Sequence, residues 1–172
     1  MKLRAALIAL PAALLLAACG GSTDTDDASA ETTTTAAAAP AISCSEFGSV
    51  GENAEVIETV RTMPEIAGHT VTSVRISKDS DYPDQWALAV TLCDPSIENV
   101  DALRPVATSF AKAVKAQPWA GEVFALYVGN DWLVDGELAP EQKLKDGDFQ
   151  MHLWNGKPSE AAENKNWEFI AG

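Results

Sequence analysis

A chain of 172 residues with 25 Asp and Glu against 12 Lys and Arg has a formal net charge of −13, which repels nucleic acid and anionic headgroups alike. No basic patch offsets that charge, so a nucleic-acid partner is excluded. The length suits one domain with a genuine core and is short for two.

The chain opens with Lys2 and Arg4, followed by an apolar run from Ala5 to Ala18 broken only by Pro11. A positive start, a short apolar core and small residues at its end make a secretory signal. The run is shorter than the roughly 20 apolar residues a spanning helix needs. Its last residues, Leu16-Ala17-Ala18-Cys19, resemble the lipobox of bacterial lipoproteins. The resemblance covers residues 1–19 only and implies three things: cleavage after Ala18, a thioether-linked diacylglycerol on Cys19, and anchoring in a bacterial membrane outside the cytoplasm. An ordinary signal with an incidental cysteine is the alternative. Cleavage would remove both N-terminal cations, leaving ten Lys and Arg against 25 acids, a formal balance of −15.

Residues Gly20–Ala41 carry Gly, Ser, Thr, Asp, Ala, one Glu and one Pro, with no large apolar side chain. Such a segment cannot bury enough surface to offset its ordering entropy, and residues 19–41 are therefore expected to form a lipidated, disordered tether. As a flexible coil it would reach about 26 Å. Residues 42–172 are left as a single domain. With Cys19 assigned to lipid, Cys44 and Cys93 form an even pair in an exported protein, and a disulfide between them is expected. Metal ligation is the competing use, but neither cysteine has a second Cys or a His at ligand spacing.

The domain opens with Ser49 and Glu52 at capping-box spacing, ahead of Val56, Ile57, Val60 and Met63 at helical spacing, with Pro64 as the stop. Thr72, Val74 and Ile76 then alternate with polar residues, as do Trp86, Leu88, Val90 and Leu92, predicting a hairpin with an acidic loop over Lys78–Gln85. The stripe Leu103, Val106, Ala107, Phe110, Ala111, Val114 predicts a strong helix, with Pro105 in its first half and Pro118 at its end. Glu122–Gly129 is apolar on both faces and reads as a central strand. Trp132–Val134 suggests a short strand. Phe149, Met151 and Leu153 alternate with Gln150, His152 and Trp154 in another, and Trp167–Ile170 suggests a last one. The order predicts an α+β fold, an antiparallel sheet of four to five strands with two helices on one face.

No nucleophile elbow, S-x-x-K pair or H-E-x-x-H helix is present, so no catalytic residue, metal ligand or cofactor is assigned. His69 and His152 read as edge or surface histidines. Asp79, Asp81 and Asp84, and likewise Asp146 and Asp148, have the make-up of solvated turns; a weak calcium site or a carboxylate pair flanking a sugar is the alternative. Trp132 and Trp154 fall where the pattern predicts exposure, which makes them the candidate binding residues. Their alternative is a satellite cluster under the C-terminal tail with Trp167. These features predict a lipid-anchored, non-enzymatic envelope domain that binds a partner protein, with a glycan hydrolase using paired carboxylates as the alternative.

Overall fold

The computed structural model describes residues 39–45 and 47–170. The expected signal peptide, Cys19 and most of the expected tether lie outside the described residues. Those that are described form an α+β fold. In chain order the elements are β1 (Ile42–Ser43), α1 (Ala54–Arg61), β2 (Thr70–Asp79), β3 (Tyr82–Cys93), α2 (Val100–Lys115), β4 (Val123–Asn130), β5 (Leu133–Val134), β6 (Glu137–Leu138), β7 (Gln142–Asp146), α3 (Glu160–Glu163) and β8 (Glu168–Phe169). Five strands make the main sheet in the order β2-β3-β4-β7-β8, and β1-β5-β6 make a small second sheet.

Strand β4 is central, as its two apolar faces predict. The sheet is mixed, however, because β3 and β4 run parallel while β2–β3, β4–β7 and β7–β8 are antiparallel. The cause is α2. A helix of 16 residues carries the chain back along the sheet, and a crossover of that kind joins parallel neighbours where a hairpin would join antiparallel ones. Asn99 starts α2, its side chain accepting from the amides of Asp101 and Ala102. Pro105 sits inside the helix and costs it one amide donor.

Three further expectations change. Asn53, not Ser49, caps α1, accepting from the Val56 amide at 3.2 Å. Ser49 Oγ instead accepts from the Val74 amide and from Arg61 Nε. The acidic stretch after Lys78 is largely strand, because β2 and β3 extend until Asp79 pairs with Tyr82 across a tight turn. Asp79 Oδ1 accepts from the Asp81 amide there, which accounts for the aspartates as turn formers. A third, short helix, α3, is capped by Ser159 and packs against α2 through the ion pair of Lys112 with Glu163.

The core lies on one face of the sheet. Val56 and Val60 of α1 and Leu103, Phe110 and Val114 of α2 pack with Val74, Leu88, Val90, Leu126, Val128 and Leu144 from four strands. Each such fully buried side chain contributes roughly 1.5–3 kcal/mol over leaving it in water. Cys44 and Cys93 are joined as a disulfide with Cα atoms 5.7 Å apart, tying the segment after β1 to the end of β3. Val50 forms an isolated parallel bridge with Arg75, covering part of the otherwise open edge of β2. Among the described residues, the other face of the sheet carries no helix.

Candidate ligand-binding site

Strand register fixes what the uncovered face displays. One cross-strand row runs Arg75, Ala89, Tyr127, Lys145 from β2 to β7, and the next runs Ser73, Thr91, Gly129, Lys143. Alternation places these side chains opposite the core residues Val74, Val90, Val128 and Leu144. Ala89, Thr91 and Gly129 on the central strands are small, so the face is low beside Tyr127. Gly129 has room for a methyl group, with Thr91 the nearest side chain at 3.7 Å, so its glycine deepens the floor without relieving any crowding. Phe47 and Leu138 rise at the sides, each more than half exposed, at 55% and 56%. The result is a groove of about 330 Å³.

A second concavity of about 220 Å³ shares Glu141 with it but lies on the helix side of the sheet, lined by Trp132, Pro140, Gln142, Phe169 and the start of α2. Trp132 is half-buried and Phe169 is half exposed, so an aromatic surface lies beyond the Glu141 ridge. Trp132 therefore belongs to a surface concavity.

Trp154 does not. It is 3% exposed, its ring lies 5.1 Å from that of Trp167, and its indole Nε1 donates to Asp146 Oδ2 at 2.9 Å. Trp154 is thus a core residue of the aromatic cluster under the C-terminal tail. The expected strand over Phe149–Trp154 is a turn, and the strand is the preceding β7. Asp146, fully buried at the end of β7, explains the change. Its Oδ1 accepts from the Asp148 amide and pairs with His152 Nδ1 at 2.8 Å, while Oδ2 takes Trp154. Drawing His152 and Trp154 inward turns Met151 and Leu153 out, at 80% and 65% exposure. Lys115 Nζ braces the same turn by donating to the Phe149 carbonyl at 2.8 Å, and burial pulls its ammonium below its ordinary range against the opposing charge of Asp146.

The other histidine is also paired: His69 Nδ1 lies 2.6 Å from Asp94 Oδ2. Ser96 Oγ donates to Asp94 Oδ1 and not to His69, so the trio lacks the hydroxyl-to-imidazole bond of a nucleophilic relay. Among the described residues, no three His, Cys, Asp or Glu side chains converge as metal ligands would.

The charges of the groove are mixed. Lys143 Nζ lies 3.3 Å from Glu141 Oε1, and Lys145 Nζ lies 5.8 Å from the Tyr127 ring centroid. Burial pushes the Asp131 carboxyl above its ordinary range, the negative charge of Glu141 adds to that, and Lys143 opposes it. Asp131 Oδ1 and Gln142 Oε1 are buried and have no hydrogen-bond partner among the described residues. The site can therefore hold a ligand by aromatic contact, by hydrogen bonds from several hydroxyl and carboxyl groups, and by charge. Sequence reasoning missed Arg75, Tyr127, Asp131, Glu141 and Lys143. Their signal is positional, since they converge only once four strands are placed in register.

Comparison with models of protein families, with curated proteins and with solved structures found no match.

Proposed function

We propose that this protein is a lipid-anchored lipoprotein of the bacterial envelope whose α+β domain is a non-enzymatic recognition module, binding through the uncovered face of its main sheet. The observation that carries this reading is the groove of about 330 Å³ on the sheet face opposite the core, lined by Arg75, Tyr127, Asp131, Glu141 and Lys143. The Cys44–Cys93 disulfide agrees with folding outside the reducing cytoplasm. The N-terminal apolar run and Cys19 supply the anchor, and a tether of about 26 Å would hold the domain at high local concentration near the membrane.

The test is site-directed photocrosslinking in intact cells. A photoreactive residue at Leu138, on the groove wall, should yield discrete adducts, and one at Glu58, on the exposed side of α1, should not. Adducts of equal strength from both positions, or from neither, would remove the uncovered face as the binding surface.

A second reading has one observation in its favour. Asp131 and Glu141 line a single groove, and burial raises the Asp131 carboxyl above its ordinary range, a shift of the kind a glycosidase's general acid shows. Turnover of envelope glycan that disappears in Asp131→Asn and in Glu141→Gln would establish it over the binding module.

A further inference from the structure

We infer that the concavity at Trp132 binds a small organic ammonium ion, its charge held between the Glu98 carboxylate and the rings of Trp132 and Phe169, with the buried oxygen of Gln142 accepting from its N–H. This site lies on the helix side of the sheet, apart from the groove at Arg75 and Tyr127, and does not depend on what that groove binds.

Strand register places the site. Gln142 stands opposite Asn130 at the start of β7, and it alternates with Lys143 so that it shares the core side with Leu144. Phe169 pairs with Leu144 across β8 and lies on that same side. Trp132, just past the end of β4, completes the concavity with Pro140 and with Val100 at the start of α2. The walls are therefore mainly apolar and aromatic, and Gln142 is the one buried member of the lining.

The polar groups of the lining select a cation. Its charged side chains are Glu98 and Glu141, with no Lys, Arg or His among them. Glu141 is engaged by Lys143 at 3.3 Å, so the charge of this site rests on the exposed Glu98. Gln142 Nε2 donates to the Ile97 carbonyl at 2.9 Å, which fixes Oε1 as the end without a partner among the described residues, on a side chain only 6% exposed. A buried acceptor is satisfied only by a donor, and a protonated amine brings donors and no acceptor. The rings of Trp132 and Phe169 act in the same sense, since an aromatic face attracts a cation. The start of α2 is the opposing influence, because a helix N-terminus favours an anion. Asn99 already accepts from the amides of Asp101 and Ala102 there, and an anion would meet Glu98 and the Gln142 oxygen. Size sets the rest: about 220 Å³ is below the usual range of small-molecule sites and suits an ammonium carried on one ring or a short apolar chain.

The experiment is calorimetric titration of the purified full chain with phenethylammonium, its N-trimethyl derivative, neutral phenethyl alcohol and anionic phenylpropanoate. Phenethylammonium should bind at least about tenfold more tightly than the alcohol, and Glu98→Gln should erase most of that preference. The N-trimethyl derivative, which has no N–H for Gln142, should bind at least about threefold more weakly than the parent. Trp132→Ala, with unchanged melting temperature, should weaken phenethylammonium by about tenfold, whereas Arg75→Ala in the groove should leave it unaffected. Equal binding of ammonium and alcohol overturns the charge assignment, and tighter binding of phenylpropanoate overturns the cation in favour of an anion at the start of α2. An N-trimethyl derivative that binds as tightly as its parent removes Gln142 from the site. Ammonium binding that survives Trp132→Ala, or no binding of any probe, overturns the site itself.

Discussion

Trp154 donates its indole N–H to Asp146 Oδ2 at 2.9 Å, a bond between a side chain 3% exposed and one that is fully buried. The same carboxylate holds His152 and the Asp148 amide, so one aspartate sets the path of the chain from residue 147 to residue 154. Asp146→Ala leaves those donors without their acceptor, and a buried unsatisfied polar group costs about 1–3 kcal/mol. The variant is expected to lose about 3 kcal/mol of stability by urea unfolding, and Trp154→Ala about 3–5 kcal/mol. Trp132→Ala, at a surface concavity, should change stability by less than about 1 kcal/mol in the same assay.

The disulfide closes a loop with a sequence separation of 49 residues. In the chain-entropy account such a cross-link contributes about 4 kcal/mol by restricting the unfolded chain. The double variant Cys44→Ser, Cys93→Ser should therefore unfold at markedly lower urea concentration than wild type. Adding reductant to wild type should reproduce the shift and leave the double variant unchanged.

Asp94 sets part of the acid limb of stability. The hydrogen bond from Ser96 holds its carboxyl below the ordinary value of 3.8, burial opposes this, and His69 adds to the lowering. With the folded value depressed, the unfolded chain takes up the proton first as pH falls. The contribution is therefore complete above about pH 5 and drains away below it, through the folded value, as the carboxyl is protonated. Ser96→Ala should reduce the loss of stability between about pH 5 and about pH 3, as read from urea midpoints.

If Cys19 is the lipid site, the wild-type protein should incorporate labelled palmitate and partition into the detergent phase. Each buried methylene contributes about 0.8 kcal/mol, so two or three chains hold the protein firmly. Cys19→Ser should give unlabelled precursor or released protein. Labelled, membrane-bound Cys19→Ser would refute the assignment.

Much of the fold is legible in the apolar pattern. The alternation of Val74 and Ile76, of Leu88, Val90 and Leu92, and the stripe from Leu103 to Val114 identify β2, β3 and α2, because in each the buried face is apolar. Strand β7 is not legible in that way. Its inward residues are Gln142, Leu144 and Asp146, two of them polar and held by particular partners. The Gln142 amide, for one, donates to the Ile97 carbonyl at 2.9 Å. An alternation test sees one leucine between lysines and passes over it. The apparent strand from Phe149 to Trp154 fails for the complementary reason, since Asp146 overrides the hydrophobic alternation and leaves Met151 and Leu153 outside. The groove was hidden more deeply. Arg75, Ala89, Tyr127 and Lys145 are spread over seventy residues of sequence and become neighbours only through a parallel pairing that α2 creates.

The cross-link at Cys44 also determines how the domain would bear a mechanical load. Force arriving through residues N-terminal to Ile42 meets first the two-residue pairing of β1 with β5, a weak clasp. Behind it the covalent bond passes tension to Cys93, at the end of β3 inside the main sheet, and spares the segment from Phe47 to Arg61. Under shear the groove wall at Phe47 and helix α1 would remain unstretched for as long as the bond holds.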